Sequence, residues 1–352
     1  MKTRTKVIVG AVVFGVLACL VSVLCLGYYY FAKKPQLQTD TWVYIAPDTT
    51  EDEIFGQISK GLIDLEGEEM IKQCQGLIEQ REGKRLTECH GAYKLPKGLS
   101  ALQILKTILR HQQTPVKITF NEARLLPDLA GKMSKGLMCD SVAMLNAILD
   151  PAFIHECESD SANIIGIFLP DTYEVYWDIS PEKFVRKMAG EYKKFWTDER
   201  KAKAQQLGIS AKEATIICSI AEEETQNRTE RGVVARLYLN RLQIGMPLQA
   251  DPTVKFALGD FSLTRVLNSH LEVSSPYNTY RVAGLPPGPI RMVEKATINA
   301  LLNSQPHKYL YMCAKEDFSG THNFATNLSE HNRNAQRYHA ALNALRRGKN
   351  GN

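Results

Sequence analysis

Three consecutive glutamates, Glu222, Glu223 and Glu224, close an otherwise apolar stretch that begins at Ala214 and is followed by Thr225. Read as a helix, the stretch puts Ile217, Ile220 and Ala221 on one face at i, i+3, i+4 spacing, and Glu224 continues that stripe. Glu222 and Glu223 then face solvent. A carboxyl on an inward, largely apolar stripe is desolvated, which disfavours its charged form and raises its pKa. Two flanking carboxylates push the same way. That is the preparation a general acid needs near neutral pH. The competing reading is a solvated acidic run on a helix surface.

The residues downstream narrow the chemistry. Arg231-Gly232-Val233-Val234-Ala235-Arg236-Leu237-Tyr238-Leu239-Asn240-Arg241-Leu242 leads into Gln249-Ala250-Asp251-Pro252-Thr253. Then come Ser275-Pro276-Tyr277-Asn278-Thr279-Tyr280, Gly284-Leu285-Pro286-Pro287-Gly288-Pro289-Ile290, Thr321-His322-Asn323-Phe324 and Asn327-Leu328-Ser329-Glu330-His331-Asn332. In this order and spacing the series resembles the MltG (YceG-like) endolytic murein transglycosylases, densely over residues 214–345 and more thinly over 43–213. The resemblance implies a lyase that cuts the MurNAc-GlcNAc bond inside nascent peptidoglycan glycan strands and limits their elongation. It implies one catalytic carboxyl, the glutamate directly followed by Ser or Thr, which maps onto Glu224; Glu222 is the reserve if the register is shifted. That group first protonates the glycosidic oxygen. It then takes the proton of the muramyl C6 hydroxyl as this oxygen closes a 1,6-anhydro ring. The sugar's own N-acetyl oxygen can meet the positive charge at C1. No cofactor is implied, and the expected neighbours are peptidoglycan synthases at the inner membrane.

Other residues carry a functional reading beside a structural one. Asp251 could be the second carboxylate of an ordinary hydrolase, a muramidase, since such enzymes use a pair. Yet Asp251-Pro252 also reads as a helix start, with Asp as N-cap and Pro at the first helical position, and this structural role is favoured. The Gln249 amide could donate to a sugar or close its loop. Tyr277, Asn278 and Tyr280 offer the aromatic faces and amide that sugar rings require, or else pack under their own loop. Gly284 to Pro289 reads as a rigid wall. His322, Asn327 and Asn332 could contact glycan, although Asn327 with Glu330 also fits a capping box. Ala325 stands where the resemblance leads one to expect asparagine, which weakens a ligand contact there.

These residues need elements to hold them, and the pattern predicts an α+β chain. Residues 7–32 form an uncharged run of 26 residues, long enough for a helix across an apolar bilayer core of about 30 Å. Lys2, Arg4 and Lys6 precede it, while Lys33, Lys34 and a Tyr28-Tyr29-Tyr30 belt close it. The expectation is an uncleaved signal anchor in the inner membrane, with residues 1–6 cytoplasmic and the rest periplasmic. Residues 38–115 mix strands near 41–46 and 91–94 with helices near 50–63 and 100–110, and resemble the LysM-like module of the same family. Residues 116–208 read as a connecting α+β region: a strand at 116–120, helices near 122–135 and 141–149, and a turn at 169–173. Its last stretch, Pro181 to Leu207, reads as a long charged helix stopped by Gly208 and as the hinge between units. Residues 209–347 are the catalytic unit of YceG-like type, with a terminal helix at 330–347, and 348–352 a tail.

Composition sets the outer bounds. A net charge of +5 over 352 residues, without a basic stripe interleaved with aromatics, points away from nucleic acid. Six of the eight cysteines lie beyond the apolar run, where an oxidising periplasm would permit disulfides; Cys74–Cys89 and Cys139–Cys157 are the nearest pairs in sequence, with connectivity open. The histidines show no metal-ligand spacing. A wall-binding scaffold without catalysis is the remaining class, and the intact Glu224-Thr225, Gln249 and Tyr277-to-Tyr280 set argues against it.

Overall fold

The structure is a computed structural model that describes residues 2–350, so Met1, Gly351 and Asn352, including the end of the expected tail, lie outside the described residues. The chain forms two compact units. The first takes the residues up to Ile118 with 136–138 and 174–179; the second takes 119–135, 139–173 and 180 onward.

In the first unit α1 (Lys2–Ala32) is a single helix whose residues Val7–Ala32 are apolar enough to cross a membrane. Then come β1 (Thr41–Ile45), α2 (Glu51–Ser59), α3 (Leu65–Glu82), β2 (Gly91–Leu95) and α4 (Ala101–Leu109). β1 and β2 pair antiparallel, with Val43 opposite Tyr93. Thr50 and Ser100 start α2 and α4 through capping boxes with Glu53 and Gln103, which is why both helices begin where the sequence indicated. The long α3 was not foreseen, because Gly67 and Gly76 interrupt its pattern. Asp64 caps it by accepting from the Gly67 N–H at 2.9 Å, and Gly83 ends it at φ 64°. Val43, Ile45, Ile58, Ile71, Tyr93, Leu95 and Ile104 fill the core of this unit. Cys74 and Cys89 sit in it as thiols, and all eight cysteines are unpaired.

β3 (Val116–Phe120) pairs with β4 (Asp171–Val175). Leu169–Tyr173, expected to open a turn, therefore leads into a strand. Its alternation buries Tyr173, which stacks on Phe120 at 5.3 Å and donates its hydroxyl to the Leu169 carbonyl.

The second unit is mostly helical. Its first helices are α5 (Leu126–Ser134), α6 (Ser141–Leu149) and α7 (Pro151–Glu156). The expected long hinge helix is two helices, α8 (Pro181–Phe195) and α9 (Asp198–Gln206), broken where Thr197 caps α9. Phe195 and Trp196 at the break are buried in the core of this unit, so the stretch is not a linker. Next come α10 (Ala211–Glu224), α11 (Arg231–Gln243), α12 (Asp251–Leu258) and α13 (Lys295–Leu302). A hairpin of β5 (Tyr311–Ala314) and β6 (His322–Ala325) and the terminal α14 (Leu328–Asn350) complete it. α11, α12 and α13 pack around α10, and every residue from Ala214 to Glu222 is buried. Between Ala214 and Glu222, α10 has no solvent face.

Candidate active site

Glu224 is the last residue of α10, and Thr225 caps the helix by donating its N–H to the Ala221 carbonyl at 3.2 Å. Unsatisfied carbonyls at a helix C-terminus carry partial negative charge, which disfavours a carboxylate there. The side chain is partly covered: its Oε2 is buried and makes no hydrogen bond among the described residues. Burial pushes the Glu224 carboxyl up to about 7, and the neighbouring Asp251 pushes the same way. The Tyr238 hydroxyl and the charges of Lys255 and Arg241 pull in the opposite direction and lose. The result is a carboxylic acid that keeps its proton close to neutrality while remaining reachable from solvent.

Glu224 continues the apolar stripe as expected, but its two neighbours do not face solvent. Glu222, expected in solvent, is wholly buried, accepts from the Glu294 N–H at 2.9 Å and lies 3.4 Å from Arg291 and 3.7 Å from Arg231. Its pKa is raised by burial against the pull of those partners. Glu223 accepts from Arg124 through both oxygens at 2.9 Å and from Arg291 at 2.9 Å. A helical wheel assumes one buried face, and α10 is buried all round between Ala214 and Glu222. The carboxylate that adds most to the burial in raising the Glu224 pKa is Asp251.

Asp251 is not a helix cap. Ala250 occupies the N-cap position of α12 without a side-chain bond, and Asp251 is the first helical residue. Its carboxylate accepts from the Tyr280 hydroxyl at 2.7 Å. The preceding turn is held in an unusual backbone: Gln249 has φ 48°, in the left-handed region few non-glycine residues enter. Thr279 over-determines it, since its carbonyl accepts from the Gln249 N–H at 3.1 Å and its hydroxyl from the Ala250 N–H at 3.0 Å. Arg241 adds donations to the Leu248 and Pro247 carbonyls. The Gln249 side chain is exposed and makes no hydrogen bond among the described residues, so its amide is free for a ligand.

The loop with Tyr277, Asn278 and Tyr280 divides its labour. Asn278 is fully buried and ties the loop by donating to the Leu271 and Val273 carbonyls and accepting from the Tyr280 N–H, so the expected sugar contact there is replaced by a structural role. Tyr277 packs on Phe256 at 4.7 Å. Tyr280 alone reaches the acid's surroundings. Its hydroxyl is pushed up by burial and then by Asp251, with Glu224 contributing. The Gly284–Ile290 wall is fastened to α10, for Ser219 Oγ accepts from the Ile290 N–H at 3.1 Å. At Gly288 a Cβ would lie 2.1 Å from the Ala162 carbonyl oxygen, so only glycine fits.

The remaining candidates are engaged elsewhere. His322 pairs through Nδ1 with Glu230 at 3.0 Å. Asn327 caps α14 by accepting from the Glu330 N–H at 3.0 Å, as the capping alternative held. Asn332 is exposed on α14. Among the described residues no group of His, Cys, Asp or Glu is placed to hold a metal ion. The sequence reading missed Tyr238 and Arg241, although a Tyr and an Arg one turn apart inside an apolar helix were a usable signal.

A partly accessible high-pKa carboxyl beside a hydrogen-bonded Asp–Tyr pair, held on a strained turn, makes a candidate acid–base site on an α+β scaffold. The sequence profile of the YceG-like family matches residues 43–337, and the chain belongs to that family. A curated relative, the endolytic murein transglycosylase of Bacillus subtilis (strain 168), is 28% identical over 269 residues, covering 72% of this chain and 74% of the relative. The protein of that name from Streptococcus pneumoniae serotype 2 (strain D39 / NCTC 7466) is 24% identical over 286 residues; the match covers 72% of this chain but only 51% of the longer relative. A crystal structure of a YceG-like protein from Listeria monocytogenes shares the fold, with a TM-score of 0.56 at 24% identity over 84% of this chain and 98% of that one.

Proposed function

We propose that this chain is a membrane-anchored endolytic lytic transglycosylase of peptidoglycan, with Glu224 as its catalytic acid and base. The carrying observation is the Glu224 carboxyl, raised to about 7 at the end of a buried helix, in a chain whose relatives bear the name endolytic murein transglycosylase. Protonated Glu224 delivers its proton to the glycosidic oxygen between MurNAc and GlcNAc, and the bond to C1 breaks. The cation at C1 is met by the N-acetyl oxygen of the sugar and by the negative charge of Asp251, which Tyr280 holds in place. Glu224, now a carboxylate, takes the proton of the C6 hydroxyl as that oxygen bonds to C1. Gln249, with its free amide, is the best placed further sugar contact.

Other features support the setting. The exposed apolar surface of α1 fits a bilayer, with the N-terminus cytoplasmic, the catalytic unit periplasmic in the inner membrane and peptidoglycan synthases as neighbours. The β1-α2-α3-β2 order with its antiparallel strand pair supports a LysM-like, glycan-gripping role for the first unit.

Asp251 beside Glu224 favours one rival, a muramidase that uses both carboxylates. Purified glycan strands digested in ¹⁸O-labelled water separate the two by mass spectrometry. The expected products are unlabelled 1,6-anhydro-muramyl ends. Labelled reducing ends would establish the hydrolase, and no products at all would leave a wall-binding scaffold.

A further inference from the structure

We propose that an open pocket on the second unit, floored by Glu223 and Phe261 and walled by α5, is a saccharide subsite separate from the reacting centre. It would seat an uncharged sugar ring of the glycan strand. The proposal rests on the glycan-cleaving reading above and names a further part of the substrate that the enzyme holds.

The pocket encloses about 550 Å³, enough for a sugar ring. Its charges cancel: Arg124, Arg291 and Lys132 face Glu122, Asp128 and Glu223. The cations are also spoken for. Arg124 and Arg291 both donate to Glu223, and the Lys132 ammonium donates to the Glu122 carbonyl. With three carboxylates against three cations the pocket lining carries no net charge with which to select an anion, so the peptide carboxylates of the wall are poor candidates. What it offers is a fixed array of polar edges beside one aromatic face. The Phe261 ring is half-buried under the Arg124 guanidinium at 5.1 Å. A pyranose has the matching anatomy, a C–H face to lie on an aromatic ring and hydroxyls around its rim. Because Glu223 and Phe261 already fix Arg124, little side-chain freedom is lost on binding.

Two further observations place the pocket on the path of a strand. α12 begins at Asp251, beside Glu224, and Phe256 near its far end lies 6.2 Å from Phe261 and 4.7 Å from Tyr277. Phe256 is five residues beyond Asp251, about 7.5 Å along the helix axis, and Phe261 lies a further ring away, so the aromatic side of the pocket is set off from Asp251 yet within a strand's reach of it. The second observation is Gly131 in the interior of α5. Glycine there costs about 1 kcal/mol relative to alanine. No neighbour requires it: a Cβ built at Gly131 meets no heavy atom within 4 Å, and the residue lines the pocket. The absent side chain leaves room for a ligand.

The test uses the full chain carrying Glu224→Gln, so that strands bind without being cut, and titrates it calorimetrically with purified uncross-linked glycan strands and with a single GlcNAc-MurNAc disaccharide. Adding Gly131→Trp, which fills the pocket from an uncrowded helix position, or Phe261→Ala, which removes the platform, should weaken strand binding about tenfold. Disaccharide binding should not change, and Gly131→Ala should bind strands as before. Thermal melts verify that each variant is folded. Undiminished strand binding by both folded variants overturns the subsite. Equal weakening for strand and disaccharide also overturns it, because the pocket would then act through the reacting centre. If the Glu224→Gln chain binds no glycan and the unaltered chain cuts none, the glycan reading fails and the subsite falls with it.

Discussion

On the proposed reading Glu224 is the acid because of where its carboxyl sits, and its protonation has two measurable consequences. As an acid it must hold its proton for the first step, so kcat/KM should fall along a single limb above pH about 7. Glu224→Gln should lower the cleavage rate by about 10²–10⁴-fold. The same shift acts on stability. An unfolded chain releases this proton near 4.5, whereas the folded one keeps it to about 7. Between those values the native state binds more protons, so stability falls as pH rises, and the full penalty is present above about 7. Glu224→Gln removes that penalty. Urea melts should find it more stable than the unaltered chain at pH 8, by on the order of 2–3 kcal/mol, and indistinguishable at pH 4. A Glu224→Gln chain that is less stable at pH 8 would contradict the desolvated acid. Asp251→Asn removes the like charge beside Glu224, so the falling limb of the pH–rate profile should move about one unit lower. A limb that stays in place would mean that Asp251 does not tune the acid.

At the scale of elements, α10 is the piece that sequence periodicity half explained. Its N-terminus follows from Ser210 and Glu213, which form a capping box. The burial of its other faces depends on α11, α12 and α13, which the periodicity of one segment cannot report. Glu222 shows the consequence: a carboxylate taken for a solvated surface charge is locked between Arg231 and Arg291. Breaking such a pair from one side leaves buried cations uncompensated. Glu222→Gln should therefore lower stability by about 3 kcal/mol in chemical denaturation, while the folded fraction still makes anhydro products. If Glu222→Gln is fully stable but inactive, and Glu224→Gln is active, the catalytic register belongs to Glu222. The turn before α12 is the complementary lesson. Asp251-Pro252 has the composition of a cap and first helical turn, yet the helix begins one residue earlier because Thr279 and Arg241 hold the turn from outside.

For the molecule as a whole, the two units divide what is local from what is assembled. The apolar run that becomes α1 was legible from composition alone, since a bilayer asks only for length and apolarity. Deleting residues 1–32 should move the protein from the membrane fraction to the soluble one without abolishing cleavage of free glycan strands, as fractionation and product analysis would show. A truncated chain that stays with the membrane would place the anchor elsewhere. The capped helices α2, α4 and α6 were also legible, because a cap is settled by three or four adjacent residues. Both the stripe and the Glu-Thr pair singled out Glu224, whose carboxyl the fold desolvates. The sequence did not reveal α3, the division of the supposed hinge into α8 and α9, or the β5–β6 hairpin. In each of these the apolar pattern is weak or interrupted, and packing against distant segments decides. Asp251 and Tyr280 are separated by 28 residues, and only the fold brings the hydroxyl to the carboxylate. Sequence determined which residue types were available and where the capped helices start, because those choices depend on neighbours along the chain. Tertiary structure decided which carboxylate is desolvated, which is neutralised by arginine and which tunes the acid, because a pKa is set by everything within a few ångströms in space.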